Sequence, residues 1–254
     1  MIINNIEEFT VKHYIVYMKN IKTITLDFWD TITKYPFSED IFMERVEYAH
    51  NILEQYELTY ERTIELMRLI YTHFEDIWVN EHRTPSTAEM FKNLESNSGV
   101  KFREDHFNEL VTYNESLVPE KYFNIDTEII GAIKELSQKY KIILISDTGF
   151  EPGKALRKAI AGTGLKDIFK YEVFSDETGY SKPDKRAFEL ASRISETDLV
   201  DMIHIGDREE KDIKGARSAG MYSILYAGFR DNDKDITTAD YIVTSWNEIL
   251  ELLM

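Results

Sequence analysis

Five carboxylates, a serine and a lysine of this chain stand where extended apolar runs give out. Asp27 follows TITL, with Asp30 and Thr31 just beyond it; Ser146 and Asp147 follow KIILI; Lys182 lies in GYSKPDKRAF, after YEVFS; Asp207 and Asp212 lie in GDREEKD, after MIHI. A carboxylate can attack an electrophile, move a proton or hold a hard cation, and a lysine or serine can hold an anion. Each residue alone also has a plainer reading: a turn or cap aspartate, a solvated loop lysine, a Gly-Asp turn. In this order, each at the end of a run, they read as one constellation. Asp27, Asp30, Asp147, Asp207 and Asp212 brought to one rim would repel one another strongly without a cation.

The elements that must position these groups follow from periodicity. Residues 21–27 form a first strand. From about 126 the rhythm is helix then strand: helix 126–140, strand 141–146, helix 151–161, strand 171–175, helix 183–195, strand 202–206, helix 210–219, strand 222–227, a short strand 241–244 and a last helix. Apolar strands between amphipathic helices predict an α/β core, a Rossmann-like parallel sheet with helices on both faces. Ligands of such sheets bind at the carboxyl ends of the strands, where the residues above fall. Between about 39 and 116 the period is helical instead, with stripes at Ile41, Val46, Ala49 and Leu53 and at Ile64, Met67, Ile70, Phe74 and Ile77. Ser38 and the Thr84-Pro85-Ser86 run look like helix starts. The expected organisation is an N-terminal arm or helix over 1–20, a core from 21–35 and 120–254, and an inserted all-helical subdomain over 36–119. Met18 begins MKNIKTITLDFWDT, an ordinary start for a domain that opens with a strand, so residues 1–17 are either an extension or an N-terminal helix.

Composition narrows the partners. With 43% hydrophobic and 30% charged residues, the 254-residue chain is of the soluble globular class. Its 46 acids against 30 bases give a net charge of −16 with no Lys/Arg cluster, which argues against nonspecific nucleic-acid or anionic-membrane binding. No apolar run approaches the ~18 residues of a membrane span. The opening MIINNIEEFT has no basic region of a secretory signal. The absence of cysteine excludes disulfides, thiolate metal sites and thiol nucleophiles, and fits a cytoplasmic protein. The expected partner is a small anionic molecule, drawn in by local positive groups or a metal against the overall field. The sequence leaves the oligomeric state open.

The segments LDFWDT, ISDTG, SKPDKRAF and IGDREEKDIKGARSAGM resemble the four motifs of the haloacid dehalogenase (HAD) superfamily of hydrolases, over roughly 21–35 and 125–230. The helical insert matches the C1-type cap of that superfamily in position. The resemblance implies Asp27 as the nucleophile, forming an aspartyl ester or aspartyl phosphate. It implies Mg²⁺ held by Asp207 and Asp212, together with Asp27 and the backbone carbonyl of Trp29. Ser146 and Lys182 would then bind the transferring phosphoryl oxygens, with Asp147, Trp29 and Thr31 as further substrate- or phosphate-binding residues. The implied activity is Mg²⁺-dependent hydrolysis of a small phosphorylated metabolite. Physical chemistry agrees: a carboxylate that attacks a phosphoryl group meets charge repulsion, which a divalent cation and a lysine offset. Two other readings stand beside it: a 2-haloacid dehalogenase, and a weakly active scaffold that binds a phosphorylated ligand or a protein partner.

One residue departs from the pattern. Phosphatases of the superfamily read D-x-D-x-T, and the second Asp serves as general acid and base; here that slot is Trp29. General acid–base help is typically worth ~10²–10⁴-fold, so esters with poor leaving groups should react slowly. Asp30 is either a substitute acid or a brace of the turn, and Trp29 either a plug over the site or a wall that touches substrate. The dehalogenases also place an aromatic residue in this slot, but they generally lack the acidic pair kept here as Asp207 and Asp212. Mid-strand His204 reads as a core histidine and Arg83 as a solvated loop charge. Tyr35 and Phe37 read as either flap or packing residues, Gly179 and Tyr180 as setting the lysine loop, and Gly206 and Gly149 as permitting tight turns.

Overall fold

The computed structural model describes residues 20–36 and 38–254. The expected arm over 1–20 and Phe37, expected as a flap or packing residue, therefore lie outside the described residues, Asn20 excepted. Six strands form the sheet: β1 (Thr23–Leu26), β2 (Lys141–Ser146), β3 (Phe169–Phe174), β4 (Met202–Gly206), β5 (Tyr222–Tyr226) and β6 (Tyr241–Val243). Their order is β3-β2-β1-β4-β5-β6, and every neighbouring pair is parallel. The third strand begins at Phe169, two residues earlier than its apolar pattern suggested. A register shift between Ile142 and Ile143 admits Lys170 as an extra residue opposite β2.

β1 lies at the centre, and the chain goes to β2 on one side and to β4 on the other. This is the switch point at which α/β sheets open a crevice. Leu26 pairs with Leu144 and with Ile205, so the ends of β1, β2 and β4 come out side by side. The Asp27 N–H still donates to the Ile205 carbonyl, 2.9 Å away, which carries the extended backbone up to that carboxylate.

The helical segment has its own logic. Helices α1 (Glu39–Leu53), α2 (Tyr60–Asn80), α3 (Thr87–Ser98) and α4 (Glu104–Leu117) follow β1 without an intervening strand. Ser38, Thr59 and Ser86 cap the first three, each accepting a backbone N–H two or three residues into the helix. Phe42, Val46, Met67, Ile70, Phe91, Leu94 and Leu110 form a separate apolar cluster, joined by Phe150 from the loop after β2. A wide π-type turn over Val118–Tyr122 leads back to the sheet.

Apart from a single turn at Ser175–Thr178, the remaining α-helices among the described residues are α5 (Thr127–Leu136), α6 (Gly153–Ala161), α7 (Lys185–Ser195), α8 (Lys214–Ala219) and α9 (Trp246–Leu253). Alternation along β2 sorts them. Ile142 and Leu144 join α5, α6 and α9 in one core, while Ile143 and Ile145 join α7 and α8 in another, so helices cover both faces. The second face is less apolar than the strand pattern suggested. Thr25 and His204 are fully buried there, 2.8 Å apart between Oγ1 and Nδ1. No helix among the described residues is long and apolar enough to cross a membrane.

The helical layer is tied to the core by polar contacts as well as by Phe150. The buried Arg45 of α1 pairs with the equally buried Glu151 at 2.5 Å and donates to Asn114 Oδ1 at 2.9 Å. Its guanidinium lies 4.5 Å from the centre of the Phe150 ring. The Ser181 N–H donates to the His82 carbonyl at 2.7 Å, which joins the start of the α2–α3 loop to the segment carrying Lys182.

Candidate active site

Asp27, Asp207 and Asp212 are all buried, and an oxygen from each lies within 4.8 Å of the others. Lys182 sits among them at 2% exposure. Its Nζ donates to Asp27 Oδ1 and, at 2.6 Å, to Asp212 Oδ1. Asp27 Oδ2 accepts from the Thr31 hydroxyl at 3.2 Å. Lys182 thus pairs with two of the three buried acids, while Asp207 shares Arg230 with Asp233, so negative charge is in excess. Burial first, and then the Asp212 charge, push the Asp27 carboxyl up to about 7 against the pull of Lys182. Burial together with Asp212 and Asp27 pushes Asp207 up to about 8 despite nearby Arg208 and Arg230. Asp212 goes the other way. Burial would raise it, but the Lys182 charge and a hydrogen bond from His204 outweigh burial and hold it low.

His204 was the residue whose role the sequence concealed. It is a core histidine, edge-on to Phe188 at 5.1 Å, and its Nε2 lies 3.1 Å from Asp212 Oδ1. Burial keeps its basicity low. A carboxylate can only accept, so Nε2–H donates to Asp212 and Nδ1 accepts from Thr25. The Arg208 N–H donates to Asp212 Oδ2 at 3.0 Å, which fixes the other oxygen. Arg230, outside every motif, donates to the Asp207 carbonyl at 2.7 Å and ion-pairs with Asp207 and Asp233. Neither contact leaves a local spacing signal in the sequence.

Gly206 is required here for a reason other than a turn. A Cβ at that position would lie 2.3 Å from the Asp212 carboxyl carbon, so the missing side chain is what admits the carboxylate. Gly206→Ala is expected to displace Asp212 and to cost about 1–3 kcal/mol as overpacking. Thermal melts, with activity assayed in parallel, check this; an unchanged melting temperature would count against it. Gly149, by contrast, would bring a Cβ only into ordinary contact with Glu151 and Phe74.

The other expected residues fall as follows. Asp147 uses both oxygens within the protein: Oδ1 accepts the Lys182 N–H at 2.9 Å and Oδ2 accepts the Trp78 indole N–H at 2.8 Å. The carboxylate therefore holds the lysine loop and the end of α2 in place, and its backbone is what it has to offer an anion. Ser146 is buried and its hydroxyl donates to the Asp147 carbonyl at 3.2 Å; it is not part of the cavity wall. Asp30 adopts a left-handed φ of 55°, and its Oδ1 accepts the Tyr35 N–H at 3.0 Å, so it braces the turn. Trp29 stands edge-on to Phe28 and Tyr35, each 4.9 Å away, and packs against Ile41, Leu117 and Val118 while lining the cavity. It is wall and packing residue at once. Tyr35 likewise lines the cavity. Arg83 pairs with Glu81 and Glu89 at the surface, away from the wall.

The cavity has a volume of ≈ 750 Å³ and opens between the strand ends and the helical layer. Asp27, Lys182 and Asp212 contribute to one part of its wall. Aromatic residues from the helical layer (Phe42, Tyr71, Phe74 and Trp78) contribute to another. Three oxygen-donor groups this close suit a hard cation such as Mg²⁺, which takes carboxylates and water and needs no thiolate.

Comparison with known proteins places the chain. A family model described as haloacid dehalogenase-like hydrolase matches residues 21–220. The haloacid dehalogenase-like hydrolase domain-containing protein 3 of Bos taurus is 33% identical over 103 residues, 39% of this chain and 41% of that protein. The pyrimidine 5′-nucleotidase YjjG of Escherichia coli is 32% identical over 134 residues, 51% of this chain and 58% of that one. The matched segments thus span less than two thirds of either relative. Among solved structures, a HAD phosphatase from Thermococcus onnurineus superposes with a TM-score of 0.65 at 18% identity, covering 92% of this chain and 98% of its own. With a family model over most of its length and the motif residues gathered at one rim, the chain belongs to the haloacid dehalogenase-like hydrolases.

Proposed function

We propose that this hydrolase is a Mg²⁺-dependent phosphoric monoester hydrolase that acts on a small phosphorylated metabolite through an aspartyl phosphate at Asp27. The reading rests above all on the three buried carboxylates within 4.8 Å of one another, an excess of negative charge that a divalent cation would offset. The relatives support it: one is named a nucleotidase, and the similar solved structure a phosphatase.

In this reading Asp27, Asp207 and Asp212 would hold the metal, with the Trp29 carbonyl. When bound, Mg²⁺ would supply charge neutralisation where attacking and leaving oxygens share the phosphorus. Lys182 holds the phosphoryl oxygens beside the nucleophile, with Ser146 and the Asp147 backbone nearby. The Asp27 carboxylate forms the new P–O bond as the ester P–O bond breaks, and the departing oxygen takes a proton from a water held in the cavity. Water then cleaves the acyl phosphate and restores Asp27. Trp29 moves no proton, so leaving-group quality governs the first step. The helical layer serves as the cap over this chemistry, excluding bulk water and selecting substrate through its aromatic wall.

The aromatic Trp29 is the observation that favours the dehalogenase alternative; the acid trio weighs against it, since carbon attack needs no metal. Release of halide from chloroacetate in the presence of chelator would establish that alternative. For the phosphatase reading, an aryl phosphate assay with and without Mg²⁺ decides. Turnover should require the metal. Trp29→Asp should raise turnover of alkyl phosphates by about 10–100-fold, and raise aryl phosphate turnover far less, because a good leaving group needs no acid. Turnover indifferent to Mg²⁺ would sink the reading.

A further inference from the structure

Lys211 is the cation that the chemistry above leaves unused. It immediately precedes Asp212, is 7% exposed and lines the cavity. Its Nζ donates to the Trp78 carbonyl at 2.8 Å and lies 4.1 Å from the centre of the Trp78 ring. Among the described residues it forms no ion pair, whereas Lys182 faces two carboxylates and Arg230 two more. An ammonium has three N–H donors, so two remain. Asp147 and Asp212 act on it only from beyond ion-pair distance, and burying a charge without a direct partner is costly, all the more notable in a chain with 46 acids to supply one. Arg208 lies beside it. Its guanidinium carbon is 5.3 Å from the same ring, its Nε reaches Asp207 only at 3.9 Å, and it too lines the cavity.

The position of the pair says which part of a ligand it meets. In phosphoryl transfer the leaving group lies opposite the attacking oxygen. With Asp27 at the end of β1, the leaving group points toward the helical layer, and Trp78, against which Lys211 and Arg208 rest, belongs to α2 of that layer. We propose that Lys211, aided by Arg208, binds a second anionic group, a carboxylate or another phosphate, carried on the leaving group. The substrate class is then a phosphate ester of a small acid or a bisphosphate. The assignment deepens the phosphatase reading and rests on it for the substrate's reacting end.

Unreactive analogues test the subsite without any turnover. In the presence of Mg²⁺, 3-phosphonopropionate and 1,3-propanediphosphonate should raise the melting temperature more than propylphosphonate at equal concentration, because only the first two carry a second anion. A larger shift with the first would assign the group as a carboxylate, and with the second as a phosphate. In Lys211→Met the advantage should vanish, and in Lys211→Arg it should persist. In turnover, the kcat/KM ratio of 3-phosphooxypropionate to propyl phosphate should fall about 10–100-fold in Lys211→Met, the scale of a lost hydrogen bond to a charged group. An unchanged ratio in Lys211→Met, whether both substrates suffer equally or neither does, would overturn the assignment and leave Lys211 a tether for Trp78. Absence of turnover by the wild type with any ester would instead strike the phosphatase reading, while the melting shifts still judge the subsite.

Discussion

Asp27→Asn should lose turnover of aryl phosphates by about 10⁴–10⁶-fold, the scale on which removal of a covalent nucleophile is felt. The substitution keeps shape and hydrogen bonds: the amide oxygen can still accept from Lys182, and the amide nitrogen can donate to the Thr31 hydroxyl. It removes one of three crowded carboxylates, so the metal-free protein should melt no lower than the wild type. That pairing of intact stability with lost chemistry separates a nucleophile from a structural acid. Acid-quenched wild type taken during turnover should carry the mass of one phosphoryl group, and the variant none. A variant that retains a tenth of wild-type activity would remove Asp27 from the role.

The largest effect on stability is expected from Lys182→Met. Among the described residues, Lys182 is the one ammonium bonded to both Asp27 and Asp212, and all three groups are buried. Burial alone would lower its basicity, but Asp212, Asp27 and Asp147 outweigh burial and hold it charged. Without it two carboxylates lose their ion pair, which typically costs about 3–5 kcal/mol. The loss should grow with pH. The folded Asp27 and Asp207 carboxyls sit near 7 and 8 rather than at the unfolded value of 3.8, so the folded state binds more protons across that window. Stability of the metal-free protein therefore falls as pH rises from about 4 toward about 8, and more steeply once the lysine is gone. Denaturant melts of both proteins at pH 5 and pH 8 in chelator check the slope, and Mg²⁺ should restore more stability at pH 8. A deficit independent of pH would mean that lost packing, not charge, is responsible.

Much of this arrangement could be read from the sequence. Strands over 141–146 and 202–206 stand where their apolar runs placed them, because a strand buried on both faces leaves an uninterrupted signal. Helix starts at Ser38 and Ser86 were visible because a cap is a local event. The acids gathered at one rim follow from topology, since β1 lies between β2 and β4. What escaped is what the chain assembles from a distance. His204 looks like any buried residue of a strand until its ring meets Asp212, and Arg230 belongs to no motif yet reaches the Asp207 backbone. Gly206 was expected for its backbone freedom and is instead needed for the space above it, which only the packed Asp212 side chain discloses. Lys211 passed as one more charge in GDREEKD, because nothing in that run says which of its residues is buried.

The ion pair between Arg45 and Glu151 bears on how such proteins could be recombined. Its two halves come from segments more than a hundred positions apart, one in the helical layer that follows β1 and the other in the loop after β2, and each is fully sealed from water. Among the described residues, Arg45 Nε and Glu151 Oε2 have no hydrogen-bond partner. A chimaera that joins this helical layer to another sheet, or another helical layer to this sheet, would strand half of the pair in a dry seam. Arg45 and Glu151 would therefore have to change hands together.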